Sequence, residues 1–175
     1  MKKILSDLGE PNVVGERFGV IKLGGLDISI PRRDSKTGSG HRDFVIEGDS
    51  NMTIAEAARR RDFTINSLAL DPLTGEIINK FGGLEDLKNK VLRATDEELF
   101  KDDPLRVLRA MQFAARFEFS IDPKTTEICR KLDLSNLSKE RIGEEWSKLL
   151  LKSGKPSIGL EAAKDLKILE KLHPE

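Results

Sequence analysis

An α+β fold is what this sequence predicts, and three observations carry the prediction. Aliphatic and polar residues alternate in the first third, Gly and Pro punctuate those runs at turn positions, and beyond Gly82-Gly83 every apolar periodicity is helical. At 175 residues the chain has room for one ordinary domain or two small ones. A 38 % hydrophobic content, with eight Phe, one Trp and no Tyr, supports a modest core of aliphatic residues and Phe.

Phe18, Val20 and Leu23 lead to Gly24-Gly25, a tight turn, after which Leu26, Ile28 and Ile30 alternate with Asp27 and Ser29 until Pro31. This predicts a hairpin with Asp27 and Ser29 on the face opposite the three aliphatic residues. From Arg32 to Asn51 basic residues and glycines dominate, the composition of a long mobile loop. Thr53-Ile54-Ala55-Glu56 has the form of a capping box and starts a short helix near Ile54, which gives way after Asp62. Ser67 to Leu70 and Glu76 to Phe81 read as strands about the turn Asp71-Pro72-Leu73-Thr74-Gly75. Helices are marked by Leu84, Leu87 and Val91; by Leu105, Leu108, Met111 and Ala115; by Trp146, Leu149 and Leu150; and by Ile158 to Leu172. The chain therefore divides near residue 95, into a mixed part over 1–95 and an all-helical part over 96–175.

Thirty Lys plus Arg balance thirty Asp plus Glu. A zero net charge excludes a globally basic nucleic-acid coat or a polybasic membrane tether, so any polyanion must be met by a local patch. The single Cys129, with no C-x-x-C or His/Cys cluster, points to a reducing compartment and reads as a buried helix residue. No run approaches the ~18 apolar residues of a membrane span, and the N-terminal residues lack the apolar core of a signal peptide. A cytoplasmic protein with no membrane partner is expected.

Two constellations can carry chemistry. Arg60-Arg61-Asp62-Phe63-Thr64-Ile65-Asn66 crowds guanidiniums, a carboxylate, a hydroxyl and an amide at the exit of a short helix. Taken alone it is a solvated basic face; the chemical alternative is a triphosphate clamp, because Arg forks match phosphate oxygens and Asn can bind ribose or phosphate. In Asp102-Asp103-Pro104-Leu105-Arg106-Val107-Leu108-Arg109, Asp103 suits an N-cap, Pro104 the first helical position, and the arginines an exposed helix face. Yet Asp103 and Arg106 stand three residues apart, and both can project from one side of a first turn. A carboxylate there accepts from the exocyclic amine of cytosine or adenine while Arg donates to ring acceptors, and uracil and guanine are rejected by unpaired polar groups.

These blocks, followed in order by Gly82-Gly83-Leu84-Glu85-Asp86-Leu87 with Val91-Leu92-Arg93 and by Phe113-Ala114-Ala115-Arg116-Phe117, resemble the bacterial tRNA nucleotidyltransferases, the class II CCA-adding enzymes and their poly(A) polymerase relatives. The match runs over nearly the whole chain. The resemblance implies a partial polymerase-β-like palm with a small mixed or antiparallel sheet over 1–95, and a helical, RNA-binding-type neck over 96–175. It implies transfer of CMP or AMP from CTP or ATP to an RNA 3′ end, such as that of tRNA. Arg60, Arg61, Asp62, Asn66 and Arg109 then belong to the nucleotide site, with Asp103 and Arg106 as the template that selects CTP or ATP. Lys36-Thr37-Gly38-Ser39-Gly40-His41 looks like the family's flexible loop, and Glu140-Arg141 with Glu145 like the helical motif that steadies the neck.

Members of that family carry Gly-Gly-x-x-Arg-Asp followed by an Asp-x-Asp pair that holds two magnesium ions, and neither element occurs in this sequence. Asp27 matches an acidic position on a later palm strand and is the lone candidate for catalysis and for Mg2+. The expectation is a chain starting downstream of the metal motif and inactive by itself, the product of a split or truncated gene. The alternative is a non-catalytic nucleotide- or RNA-binding module. A sheet lacking its first strand would expose an edge, which predicts a second polypeptide or self-association.

Overall fold

The computed structural model describes residues 5–7, 9–10, 12–14, 20–36 and 44–172. The chain divides into two compact units, Met1–Ala57 and Ala58–Glu175.

The first unit is β-structure. Strands β1 (Asn12–Val14), β2 (Val20–Leu23) and β3 (Leu26–Ile28) form an antiparallel sheet in the order β1-β2-β3, with Val14 opposite Val20 and Leu23 opposite Leu26. Gly24 and Gly25 both take positive φ, 54° and 83°, the two-residue hairpin geometry that residues with a β-carbon resist. Ile21 is buried in this sheet, but Leu26 stays 67 % exposed, so the predicted aliphatic face is only partly covered. Phe18 lies outside the described residues. The stretch read as a mobile loop is corrected: β4 (Arg32–Lys36) and β5 (Phe44–Gly48) pair antiparallel, Arg32 opposite Gly48 and Lys36 opposite Phe44. The β-branched run Val45-Ile46 favours a strand, and ladder hydrogen bonding gives a polar partner such as Arg32–Lys36 the same state. Most of Lys36–His41 lies outside the described residues.

Helix α1 (Ile54–Arg59) opens on the anticipated capping box: Glu56 N–H donates to Thr53 Oγ1 at 3.2 Å, and Thr53 N–H donates to Glu56 Oε2 at 2.8 Å. A 3-10 turn, Thr64–Asn66, follows, and then the hairpin of β6 (Ala69–Leu70) and β7 (Ile77–Ile78). Each strand is two residues long, and the chain turns at Asp71, whose N–H donates to Glu76 O at 2.9 Å and whose Oδ1 accepts from Leu73 N–H at 2.8 Å. The rest of the chain runs α2 (Gly83–Asn89), β8 (Val91–Leu92), α3 (Glu97–Phe100), α4 (Leu105–Phe117), β9 (Ser120–Ile121), α5 (Pro123–Lys131), α6 (Lys139–Lys152), α7 (Pro156–Asp165) and α8 (Ile168–Leu172).

Helix α4 is the axis of the second unit. Leu105, Val107, Leu108, Ala110, Met111, Phe113, Ala114 and Ala115 are all buried, and they pack with Leu149 of α6, Ala163 of α7 and Ile168 of α8. Each large aliphatic side chain so covered contributes about 1.5–3 kcal/mol. Gly159 of α7 is what allows close approach, since a β-carbon there would meet Leu149 Cδ1, and Ala115 Cβ at 2.9 Å. Cys129 is fully buried in α5 as the sequence predicts, and burial pushes its thiol up to about 12. The join near residue 95 lies inside the second unit. There β8 pairs in parallel with β9, and Phe63 forms an isolated bridge with Ala94. The described residues contain no helix long and apolar enough to cross a membrane.

Candidate nucleotide site

The 3-10 turn that follows α1 is fixed before any side chain is considered. Thr64 N–H donates to Arg93 O at 2.9 Å, and Thr95 N–H donates to Asp62 O at 3.1 Å, so the segment 62–64 lies along the strand residues that lead into α3. Phe63, fully buried, pins it from within by edge contacts to Phe100 and Phe113. Gly83 lets α2 press against the turn; a β-carbon at that position would run into the Thr64 carbonyl and stand 3.0 Å from Leu68 Cγ.

Asp62 is the hub. Its Oδ1 accepts from Phe63 N–H and from Asn66 Nδ2, both at 2.9 Å, and its Oδ2 accepts from Arg109 Nε at 2.7 Å. Arg109 Nη2 is also 2.7 Å from Oδ2. The carboxylate is buried, and the Arg109 guanidinium lies over the Phe113 ring at 4.8 Å. Asp62 is therefore saturated by protein donors, and what it does is aim Asn66 and Arg109. Arg61, one residue earlier, is exposed; its N–H donates to Ala58 O at 2.9 Å, and its side chain makes no hydrogen bond or ion pair among the described residues.

Arg106 is held in a different way, by two of its five guanidinium N–H groups. It donates from Nη1 to Leu99 O and from Nη2 to Arg60 O, both at 2.6 Å, and lies over the Phe100 ring. Burial pushes this guanidinium below its ordinary value, opposed by the carboxylates of Asp103, Asp62 and Asp102. Arg106 thus ties the first turn of α4 to the exit of α1, bringing the two sequence constellations together. Asp103 stands one residue before Pro104, the N-cap of α4, and accepts from Leu105 N–H at 3.2 Å, and its two oxygens take Arg141 Nη2 of α6 at 3.3 and 3.2 Å. The backbone joins the pair, Arg106 N–H donating to Asp103 O at 3.0 Å, and no hydrogen bond is made between their two side chains.

Three further residues support the site. Asp86 of α2 accepts from Thr64 Oγ1 at 2.7 Å and from Arg93 Nε at 3.1 Å, and Arg93 Nη1 reaches Asp122, the N-cap of α5. The hydrogen bond that Arg93 donates to Asp86 is the main reason its guanidinium sits above its ordinary value. Asp86 and Arg93 stand within the quoted sequence blocks, but nothing in their spacing discloses that they bracket Thr64. The role of Arg141 on Asp103 is likewise invisible in sequence, for 38 residues separate them.

Asp27 is exposed in the first unit, 3.7 Å from Lys22, its register partner across the hairpin. Among the described residues no three His, Cys, Asp or Glu side chains gather to hold a metal ion. The described residues therefore do not fit a magnesium pair.

Similarity to known proteins extends over most of the chain. Residues 3–93 match the family described as Poly A polymerase head domain, and residues 118–175 that described as Probable RNA and SrmB-binding site of polymerase A. The Multifunctional CCA protein of Stenotrophomonas maltophilia (strain R551-3) is 37% identical over 158 residues, which is 86% of this chain and 38% of the relative. The chain thus spans about two fifths of the length of such curated relatives. Among solved structures, a tRNA-processing enzyme with CTP superposes with a TM-score of 0.75 at 28% identity, covering 99% of this chain and 46% of that one. The Thermotoga maritima CCA-adding enzyme complexed with tRNA gives 0.73 at 29% identity, covering 99% and 40%.

Proposed function

The chain belongs to the poly(A) polymerase head-domain family of nucleotidyltransferases, and on that footing we propose that it supplies the nucleotide-selecting part of an RNA nucleotidyltransferase acting in the cytoplasm. CTP or ATP is the nucleotide and an RNA 3′ end, that of tRNA foremost, the acceptor. In the reaction the RNA 3′ hydroxyl attacks the α-phosphorus, an O–P bond forms as the bond to the β-phosphate oxygen breaks, and pyrophosphate leaves. The head extends to about residue 95 and the helical neck follows. Arg61 faces the phosphates, Asn66 and Arg109 are held for the nucleotide by Asp62, and Asp103 with Arg106 reads the base.

The observation that carries this reading is the pair of Arg106 bonds to Leu99 O and Arg60 O, which joins the base-reading turn to the arginine motif at 2.6 Å. Asp103 keeps lone pairs beyond those given to Arg141 and Leu105, so it can still accept from an exocyclic amine. The family implies magnesium, which supplies charge neutralisation at the phosphates; with no fitting cluster among the described residues, the metal ligands come from elsewhere. A second polypeptide that carries them, or self-association at the outer strands β1 and β3 of the three-stranded sheet, completes the proposal.

The experiment is a calorimetric titration with CTP, ATP, UTP and GTP, followed by incorporation into a tRNA lacking its CCA end. Binding of CTP and ATP but not UTP and GTP is the expected result, and equal binding of all four overturns the base-reading assignment. Incorporation that appears only when a second polypeptide is added supports the split enzyme. Incorporation by the chain alone refutes the need for a partner, and binding with no incorporation under either condition favours the non-catalytic module.

A further inference from the structure

The C-terminal end of α4 carries an aromatic surface whose inner ring, Phe113, also touches the candidate nucleotide site. Phe113, Phe117 and Phe119 form a run of rings, with centroids 5.3 Å apart for the first pair and 5.8 Å for the second. Exposure peaks at the middle ring: Phe113 is 8 % exposed, Phe117 is 39 % exposed, and Phe119 is half-buried. The inner end is anchored through Phe113 to the fully buried Phe63. The outer end is shaped by Glu118, which takes a left-handed φ of 56°, uncommon for a residue with a β-carbon, and so turns Phe119 back beside Phe117.

A lone exposed Phe is ordinary. This one has a cation over it: the Arg116 guanidinium lies 5.5 Å from the Phe117 centroid, and Arg116 is exposed. The neighbouring carboxylate of Glu118 is taken by Lys155 at 2.6 Å, and Arg116 makes no ion pair among the described residues. The result is a partly exposed aromatic ring with a guanidinium over it whose positive charge meets no ion pair among the described residues. A protein partner would require a wider apolar area; a nucleobase with its phosphate matches a face of one ring and one cation. The platform stands about 12 Å along α4 from Arg109, a distance of roughly three stacked nucleotides.

We propose that Phe117 and Arg116 form a stacking platform for an unpaired base of single-stranded RNA, upstream of the end that is extended. This rests on the nucleotidyltransferase reading above, which supplies the RNA but assigns nothing to these residues.

The test is a fluorescence titration of the full chain with an RNA of about eight nucleotides that ends in cytidine and carries 2-aminopurine near its 3′ end. CTP affinity is measured in parallel. Quenching on binding is expected for the unaltered chain. Phe117→Leu, which keeps an apolar side chain but removes the π-face, should weaken RNA binding about tenfold and abolish the quench. Phe117→Trp should retain both, Arg116→Ala should flatten the salt dependence, and CTP affinity should be unchanged throughout. RNA affinity unaltered in Phe117→Leu, the outcome expected of a protein-docking ring, overturns the platform. Should that variant fail to fold, loss of quenching in Phe117→Trp or an unchanged salt dependence in Arg116→Ala overturns it equally. CTP binding without RNA binding removes the platform and leaves the nucleotide site standing, whereas RNA quenching without CTP binding does the reverse.

Discussion

Arg109 places Nε and Nη2 on one oxygen of Asp62, each at 2.7 Å, across 47 residues of sequence. The other oxygen of the same carboxylate holds Asn66 and the Phe63 N–H. One buried carboxylate thereby sets the aim of two side chains from different parts of the chain, and it can do so only while both of its oxygens stay charged and dry.

Breaking that unit should be costly and non-additive. Asp62→Ala leaves Arg109 and Asn66 without their acceptor, and Arg109→Ala leaves a buried carboxylate short of its counter-charge; each is expected to cost about 3 kcal/mol. The double variant should lose clearly less than the sum, because either single change already removes the shared interaction. Urea unfolding of the four proteins measures the coupling, and strict additivity would show that the pair contributes nothing.

Asp103→Asn separates base reading from folding. The amide keeps the shape and can still accept from Leu105 N–H, but it presents a donor as well as an acceptor. Preference for CTP and ATP over UTP and GTP is expected to collapse, with thermal stability lowered by roughly 1 kcal/mol through the weakened bond to Arg141. Arg106→Ala is the less clean probe, since it also frees the carbonyls of Leu99 and Arg60.

Gly83→Ala tests the support beneath the 3-10 turn. The added methyl must displace the Thr64 carbonyl, which is backbone and cannot rotate away. A loss of about 1–3 kcal/mol is expected, together with weaker nucleotide binding because Asn66 moves with the turn. Gly24→Ala, where nothing lies within 4 Å, serves as the comparison, and there only the positive φ of 54° is strained.

Acid should act at Asp96. Burial pushes its carboxyl up, but the N–H groups of Leu99 and Glu98 and the Arg59 guanidinium outweigh burial and hold it below its usual value. A carboxyl depressed in the folded state stabilises fully above its unfolded pKa near 4 and loses that contribution as pH falls through the folded value. Urea midpoints measured from about pH 6 to about pH 2.5 should fall less steeply for Asp96→Asn than for the parent chain.

Alkali should act at Cys129, with the opposite sign. The unfolded thiol ionises near its model value of 9.0 and the folded one only near 12. Stability is intact below pH 9 and declines as pH rises toward 12, because only the unfolded chain gives up the proton. Cys129→Ala should flatten that decline, and the native thiol should resist alkylation until the protein is unfolded.

Much of this molecule is legible in its sequence because local chemistry writes it there. The Thr53–Glu56 box, the Gly24-Gly25 turn, the run of α4 and the burial of Cys129 each follow from spacing and residue type within a few positions. The pairing of β4 with β5 does not. Arg32–Lys36 has no apolar alternation, and its strand state comes from hydrogen bonds to a partner segment rather than from its own side chains.

By itself the sequence determined the class of fold, the order of the motifs and the residue types of the proposed nucleotide site. Only the tertiary structure decided what those residues touch: that Asp62 is consumed in holding Arg109 and Asn66, that Arg106 grips two backbone carbonyls, and that Arg141 lies on Asp103. The reason is physical. Helix and turn signals act over three or four residues, whereas a buried carboxylate takes whichever donors the packed chain brings within about 3 Å, and sequence spacing places no bound on which donors those are.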